Sequence, residues 1–288
     1  MINSMTGYAT AALELPFGVL TVEMRSVNHR YLDVQFRLPD DLRAIEPTLR
    51  EMLQSRISRG KVECRVSFAA APGANKSLKL NEELLLQLEA LELKIRTMLV
   101  GAGQLSTADL LRWPGVLAAE PLPVEDLQAA CRDLVGEALR EFNVARAREG
   151  GKLKALLLER ASAMEAIVAE TTPRIPQAVE AYRERLTARL REALGSGEEE
   201  RIRQETAVFA TRIDVDEELS RLTAHVTELR RALDAGGAVG KKLDFLMQEL
   251  NREANTLASK SVDLAVTRAA LDLKLLIEQM REQIQNIE

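Results

Sequence analysis

Two successive apolar stripes at helical spacing occupy the C-terminal third of the chain, and they constrain the fold more than any other feature of the sequence. The first stripe runs through residues 214–234 and the second through 240–257, with Gly236-Gly237 between them. Their members are Leu219, Leu222, Val226, Leu229 and Leu233, followed by Leu243, Met247, Leu250, Ala254 and Leu257. Each set repeats at the period of one helix face. The two segments are therefore predicted to form an αα-hairpin whose stripes face each other.

Helical patterns of the same kind cover most of the chain from Asn81 onward. Aromatic residues make up only 3% of the chain, which suits long helices packed through Leu, Ala and Met. Such helices are marginal in isolation, so each needs a partner within the chain or in another subunit. The predicted segments are 81–99, a short helix that stops at Trp113-Pro114-Gly115, one or two helices over 123–172 with Gly150-Gly151 as a candidate kink, 177–194, a charged break at 195–200, and a final helix over 262–286 after a break at TLASKS (256–261).

Residues 1–70 carry a strand-like pattern instead. Short runs in which apolar and polar residues alternate indicate four strands. A helical pattern lies before the last of these runs; it is predicted to begin with Asp40 as its N-cap and to end at Gly60. The strands are predicted at YATAALELP (8–16), GVLTVEMRSV (18–27), RYLDVQFRLP (30–39) and KVECRVSFAA (61–70). The order strand, strand, strand, helix, strand predicts a small α+β domain.

The whole chain is predicted to have an α+β fold in three regions. A strand-rich N-terminal α+β domain covers residues 1–75, and a linker-like loop at 71–77 spans its end. A long-helix middle region follows over 76–200. A mostly α C-terminal domain covers 201–288 and ends in the αα-hairpin and the terminal helix.

Composition excludes several classes of protein. The net charge of −5 argues against a protein that holds nucleic acid by bulk charge, although a local basic surface remains compatible with it. Cys64 and Cys131 are too few for a disulfide framework or a thiolate zinc site, which favours a reducing cytosol. Residues 1–18 lack the pattern of a signal peptide, and no apolar run is long enough to span a membrane. No GxGxxG, Walker, HExxH or GxSxG motif occurs.

A metal site is predicted across the hairpin. Glu249 and Glu253 are four residues apart, so both lie on one helix face, beside the apolar stripe. Two carboxylates held there repel each other unless a cation lies between them. With the turn near Gly237, antiparallel pairing places His225 roughly opposite Glu249. Such a set binds Mn²⁺ or Mg²⁺ with positions open for water and a phosphate oxygen. We predict His225, Glu249 and Glu253 as metal ligands and catalytic residues, with Arg252 neutralising the phosphate.

Other interpretations of the same residues stay open on the pattern alone. Glu218 and Arg221 are predicted at the same groove edge, and charges beside a helical stripe are usually solvated or paired. Glu249 and Arg252 would then be a simple i,i+3 pair, and the lone histidine would be structural. An amide-rich run on the same helix favours a ligand-binding role, because amide side chains both donate and accept hydrogen bonds. It consists of Gln248, Asn251 and Asn255.

A second group of residues is predicted to bind RNA. Lys260 is placed in the TLASKS break near the start of the final helix, whose free N–H groups favour anions; an ordinary capped turn is the alternative. The N-terminal domain carries a local basic run suited to phosphates, with a strand-edge surface of salt bridges as the alternative. The predicted RNA-binding residues are Arg25, Asn28, Arg30, Arg59, Lys61, Asn255 and Lys260.

Several long blocks of the sequence resemble the YicC/YloC family of bacterial endoribonucleases, from one end of the chain to the other. The N-terminal blocks are SMTGYA (4–9), EMRSVNHRYLD (23–33), RLPDDLRAIEPTLR (37–50), RGKVE (59–63) and LLRWPGVL (110–117). The C-terminal blocks are RIDVDEELSRLTAHV (212–226), LDFLMQELNREANTLASKS (243–261) and LIEQMREQIQNIE (276–288).

The resemblance implies metal-dependent endonucleolytic cleavage of RNA by a cytosolic homohexamer that encloses an RNA channel, with other RNA-degradation proteins as further partners. The site residues rest on the helix geometry, and all four catalytic candidates fall inside the matching blocks. One alternative is a non-catalytic RNA-binding adaptor that assists another nuclease; the scarcity of stacking aromatics weakens it. A purely structural helical oligomer is the third possibility, and it leaves the polar run at 248–255 without a purpose.

Overall fold

The computed structural model describes residues 1–71, 78–99, 101–119, 123–194 and 198–288. A small sheet domain at the N-terminus is followed by long helices, which confirms the predicted α+β fold class. The linker predicted at 71–77 lies almost wholly outside the described residues, as does the first half of the charged break at 195–200.

Four strands form the N-terminal sheet in the spatial order β1-β2-β4-β3. β1 (Gly7–Leu15) and β2 (Gly18–Val27) are an antiparallel hairpin, and β4 (Gly60–Ala70) pairs antiparallel with β2. β3 (Leu32–Arg37) pairs parallel with β4, because the chain between them crosses over through a helical segment. The predicted order strand, strand, strand, helix, strand is confirmed.

The helical segment of this domain differs from the prediction at both ends. Asp40 is not an N-cap: residues Asp40–Ile45 form a 3₁₀-helix, and the α-helix α1 (Glu46–Gln54) begins after it. Pro47 in the first turn explains that start, since proline needs no N–H partner there. Gly60 does not end the helix; with φ of +114° it begins β4.

Helices dominate the rest of the described chain, with one small strand pair that the sequence did not predict. β5 (Leu78–Leu80) and β6 (Leu117–Ala119) are antiparallel and bracket α2 (Glu82–Met98) and α3 (Thr107–Arg112). Both strands are only three residues long, too short for a sequence period to show. The remaining helices are α4 (Val124–Thr171), α5 (Ile175–Leu194), α6 (Glu199–Arg212), α7 (Asp216–Ala235), α8 (Gly240–Lys260) and α9 (Leu264–Ile284).

α4 is one helix of 48 residues and passes through Gly150-Gly151 without a break. Gly150 is required by packing, since a Cβ built there would lie 2.1 Å from the carbonyl oxygen of Ile2. A Cβ at Gly151 would meet nothing within 4 Å. The glycine at position 150 therefore admits the N-terminal segment to the helix surface and does not mark a hinge.

Two hydrophobic cores lie along α4. Its N-terminal half, including Leu134 and Phe142, packs against the inner face of the sheet and α1. Its C-terminal half, including Leu157 and Met164, packs against α7 and α9 in a core that α8 completes. The long helix thus connects the sheet domain to the hairpin that carries the candidate site. Within the part of the chain described, no helix combines the length and apolar character needed to cross a membrane.

The predicted break at TLASKS is wrong. α8 continues to Lys260, and the break is confined to the residues before α9. Leu257 is buried and continues the apolar stripe, while the hydroxyls of Thr256 and Ser259 donate to carbonyls within the helix at 3.1 and 2.9 Å. Because these polar side chains find partners inside the helix, they do not interrupt it. Asp263 caps α9 by accepting from two backbone N–H groups.

Candidate metal site in the helical hairpin

α7 and α8 form the predicted antiparallel hairpin, with their stripes buried against each other. Gly236 and Gly237 make the turn at φ of +67° and +81°, a conformation that costs glycine little and other residues more. The N–H of Gly237 donates to the carbonyl oxygen of Met1 at 2.9 Å. The turn, and with it the register of the two helices, is held by the N-terminal segment.

The hairpin brings His225, Glu249 and Glu253 together. Each offers one ligand atom, and these atoms all lie within 4.8 Å of one another. His225 comes from α7 and the two glutamates from consecutive turns of α8. The proximity follows from the tight turn, which fixes which residue of α7 faces which turn of α8.

This donor set fits a small divalent cation. Ligand atoms at about 2.1 Å from Mg²⁺ or Mn²⁺ lie up to about 4.2 Å apart, so the observed spacing closes with small side-chain movements. Glu253 is deeply buried, with 4% of its side chain exposed, whereas Glu249 and His225 are half-buried. One face of the cluster therefore remains accessible to solvent, and an ion there would keep positions for water and a phosphate oxygen.

Arg221 on α7 is a basic residue that contacts this cluster directly. Its Nη1 donates to Glu253 Oε1 at 3.4 Å and its Nη2 donates to Glu217 Oε1 at 2.5 Å. The charges of Glu217 and Glu253 raise the pKa of the Arg221 guanidinium. The sequence placed Arg221 at the groove edge without a role; the i,i+4 spacing from Glu217 was the available signal for its anchoring.

Lys260 was predicted to lie in a break between helices, available to a phosphate, but its side chain is paired. Its Nζ donates to Glu218 Oε1 and to the carbonyl oxygen of Asp214, both at 2.9 Å. Glu218 is buried, and its Oε2 has no hydrogen-bond partner. Lys260 therefore neutralises the buried carboxylate of Glu218. A role for Lys260 in phosphate binding stays a prediction.

Arg252 and Asn255 both lie on the exposed side of α8. No ion pair is recorded for Arg252 within the described part of the chain, so the alternative i,i+3 pair with Glu249 does not form. Gln248, from the same amide-rich run, donates to Asp244 Oδ2 at 3.1 Å. The guanidinium of Arg252 is thus available to a ligand, while the run as a whole has no single shared partner.

Most of the N-terminal residues predicted to bind RNA lie around the loop between β2 and β3, where Lys61 pairs with Val27. Arg25 lies on the solvent face of the sheet, in register with Glu63. Asn28 and Arg30 are in the exposed loop before β3, and Lys61 is half-buried on β4. The Nε of Arg59 donates to the carbonyl oxygen of His29 at 3.2 Å.

Contacts of Glu288 join the sheet domain to the helical hairpin. The carboxylate of Glu288 accepts from the N–H groups of Ser58 and Arg59, and its backbone carbonyl accepts from Gly240 N. The loop that carries Arg59 therefore lies at the turn end of the hairpin. Glu249 is nine residues further along α8 than Gly240, which is roughly 13 Å at the rise of an α-helix.

Comparisons with two known proteins extend over the whole chain. The family model described as the YicC-like endoribonuclease N-terminal region matches residues 2–155, and the model of the C-terminal part matches residues 171–288. A probable endoribonuclease YicC from Haemophilus influenzae is 43% identical over 291 residues, and one from Clostridioides difficile is 29% identical over 293 residues. Both alignments cover 100% of each chain. The chain therefore belongs to the family of YicC-like endoribonucleases.

Proposed function

We propose that the protein is a metal-dependent endoribonuclease whose reaction takes place at His225, Glu249 and Glu253. The observation that carries this proposal is the convergence of an imidazole and two carboxylates within 4.8 Å on an accessible face of the hairpin. The names of the two relatives, each a probable endoribonuclease, support RNA as the substrate.

Each residue of the proposed site would have its own role in metal or phosphate binding. Glu249 and Glu253 would hold Mn²⁺ or Mg²⁺, with His225 as the third ligand or as the general base. A bound divalent cation would activate a nucleophile and stabilise charge on the phosphate. Arg252, which is exposed and has no ion pair among the described residues, would neutralise the same phosphate, and its planar fork suits that contact. Glu253 is fixed by burial, so it sets the position of the site.

RNA would approach along the hairpin. At the sheet domain the strand would contact Arg25, Asn28, Arg30, Arg59 and Lys61. Glu288 joins the loop of Arg59 to Gly240, and Glu249 lies about 13 Å beyond Gly240 along α8. Asn255 and Lys260 would contact it beyond the cluster. Phosphate contacts of this kind position a strand without selecting its sequence.

The active form would be a homo-oligomer that encloses the RNA, with six subunits by resemblance to the family. Large apolar side chains on two helices support subunit packing, because they are exposed in the isolated chain. On α2 and α9 these include Leu86, Leu93, Met98, Leu264, Leu271 and Leu275. The reduced state of the buried Cys64 and Cys131 fits the proposed cytoplasmic location.

Cleavage of an end-labelled structured RNA by purified protein tests the assignment. Reactions would contain Mn²⁺, Mg²⁺ or EDTA, and would compare the wild type with Glu249→Gln and Glu253→Gln. Loss of one metal-binding carboxylate should lower the cleavage rate by at least the roughly 10–100-fold that is typical of losing a residue that supports a metal ligand. Asp244→Asn is the matched control and should cleave normally. Asp244 lies on the same helix, and among the described residues its side chain accepts one hydrogen bond, from Gln248.

The other outcomes are equally informative. Equal cleavage by all four proteins would place the active site elsewhere. RNA binding that survives EDTA, with no cleavage in any metal, would replace the enzyme by a non-catalytic RNA-binding adaptor.

A further inference from the structure

Glu253 depends on one basic side chain in this structure. Its carboxylate is almost completely buried, and a buried charge is costly unless it is paired. Arg221 Nη1, at 3.4 Å from Oε1, is the one basic group that contacts it among the residues the structure describes. The contact is long for a charge-assisted hydrogen bond, which is usually 2.7–2.9 Å.

Arg221 is anchored independently of that contact. Its Nη2 is held by Glu217 at 2.5 Å, one turn earlier on the same helix. Half of the Arg221 side chain is exposed, so it lies at the accessible face of the cluster. The guanidinium can therefore release Glu253 and keep its position, because only the weaker of its two contacts is lost.

A divalent cation at Glu253 would change the electrostatics of this pair. The carboxylate would gain a stronger counter-ion, and the cation would repel the guanidinium. The Nη1 donors of Arg221 would then face the solvent side of the cluster, where a phosphate oxygen is expected to bind.

We propose that Arg221 competes with the divalent cation for Glu253 and, once displaced, binds the RNA phosphate beside the cation. The inference rests on the proposed function, since it takes the cluster as the metal site. It adds a residue that lowers metal affinity in the absence of RNA and contributes to cleavage in its presence. Substrate and metal would consequently reinforce each other's binding, because the phosphate provides Arg221 with a new acid partner.

The test uses Arg221→Ala in the full-length protein, with Arg231→Ala as the control. Arg231 lies on the same helix, is exposed and pairs with Glu228 three residues before it, so its removal costs the same charge away from the cluster. Mn²⁺ binding without RNA is measured by electron paramagnetic resonance of the free ion. Arg221→Ala should bind Mn²⁺ about fivefold more tightly than the wild type, the upper end for loss of a partly exposed ion pair.

Two further measurements separate competition from a general charge effect. In EDTA, Arg221→Ala should melt at a lower temperature than the wild type, because Glu253 loses its partner; saturating Mn²⁺ should abolish the difference. RNA cleavage at saturating Mn²⁺ should fall at least about tenfold for Arg221→Ala, which loses a donor to the reacting phosphate, and stay unchanged for Arg231→Ala.

Mn²⁺ affinity of Arg221→Ala no higher than that of Arg231→Ala would overturn the competition, and full cleavage would overturn the phosphate contact. Either result leaves the proposed function intact. A wild type that binds no Mn²⁺ would instead remove the metal site itself, and the inference with it.

Discussion

Glu288 and Arg146 form the most deeply buried ion pair that the structure describes. Neutralising Glu288 should weaken the contact between the sheet domain and the helical hairpin, and so lower the stability of the protein. Arg146 Nη2 lies 2.6 Å from Glu288 Oε2, with 1% and 9% of the two side chains exposed. Glu288 Oε1 accepts from the hydroxyl and N–H of Ser58 and from Arg59 N. Arg146 Nε also donates to the carbonyl oxygen of Ser4 at 2.7 Å.

Glu288→Gln keeps the shape of the side chain and removes its charge. The guanidinium of Arg146, which already has one buried nitrogen without a partner, would lose its counter-ion. Breaking a buried pair from one side typically costs about 3–5 kcal/mol. At about 2 °C per kcal/mol for a protein of this size, the melting temperature should fall by at least roughly 6 °C.

The effect should depend on pH in a defined direction. Burial alone would raise the pKa of Glu288, but the bonds from Ser58 and the charge of Arg146 outweigh it and hold the pKa below its ordinary value of 4.5. The charged carboxylate therefore stabilises the fold above pH 4.5, and this contribution is lost as the pH falls through the lower, folded-state pKa. The difference between wild type and Glu288→Gln should accordingly shrink below pH 4.5.

Thermal unfolding at pH 7 and at pH 4 measures both expectations. Glu278→Gln, which removes an exposed partner of Arg281, is the control and should change stability by less than about 1 kcal/mol. A second variant, Arg146→Met, should destabilise by a similar amount, and the double variant by much less than the sum. Additive losses, or equal melting temperatures for Glu288→Gln and Glu278→Gln, would refute the coupling of the two halves through this pair.

Two further predictions concern neighbouring glycines and buried thiols. Gly150→Ala should destabilise the protein by at least about 2–3 kcal/mol, because its Cβ would overlap the carbonyl of Ile2. Gly151→Ala points into open space and should stabilise α4 by up to about 1 kcal/mol; melting temperatures that move in the same direction would contradict this. Burial raises the pKa of the Cys64 thiol to about 12 and that of the Cys131 thiol to about 11. A disulfide reagent at pH 8 should therefore label neither thiol until the protein unfolds. Rapid labelling of the native protein would be inconsistent with these buried environments.

Local periodicity predicted the elements whose length exceeds a few turns or alternations. The hairpin, α2 and the N-terminal strands were confirmed because each carries enough apolar positions to define its period. Their order also predicted the α+β fold. The convergence of His225 with Glu249 and Glu253 could be anticipated for the same reason, since a tight turn at Gly236-Gly237 leaves little freedom in the pairing of the two helices.

The errors lie where local chemistry and tertiary contact compete. Asp40 has the side chain of an N-cap, but Pro47 determined where the α-helix begins. Polar residues at 256–261 indicated a break, but burial of Leu257 extended α8 through them. β5 and β6 are too short to carry a pattern, and their pairing depends on each other.

The sequence by itself determined the helical hairpin and the set of residues that face each other across it, because both follow from helix geometry and one turn. Only the tertiary structure decided how the halves are joined and which charges are paired. Glu288 accepts a hydrogen bond from Ser58, 230 positions away in the chain. Ile2 packs directly against Gly150, and Arg221 forms an ion pair with Glu253. Contacts between residues so distant in the chain leave no local period, so they are settled by the packing of the whole molecule.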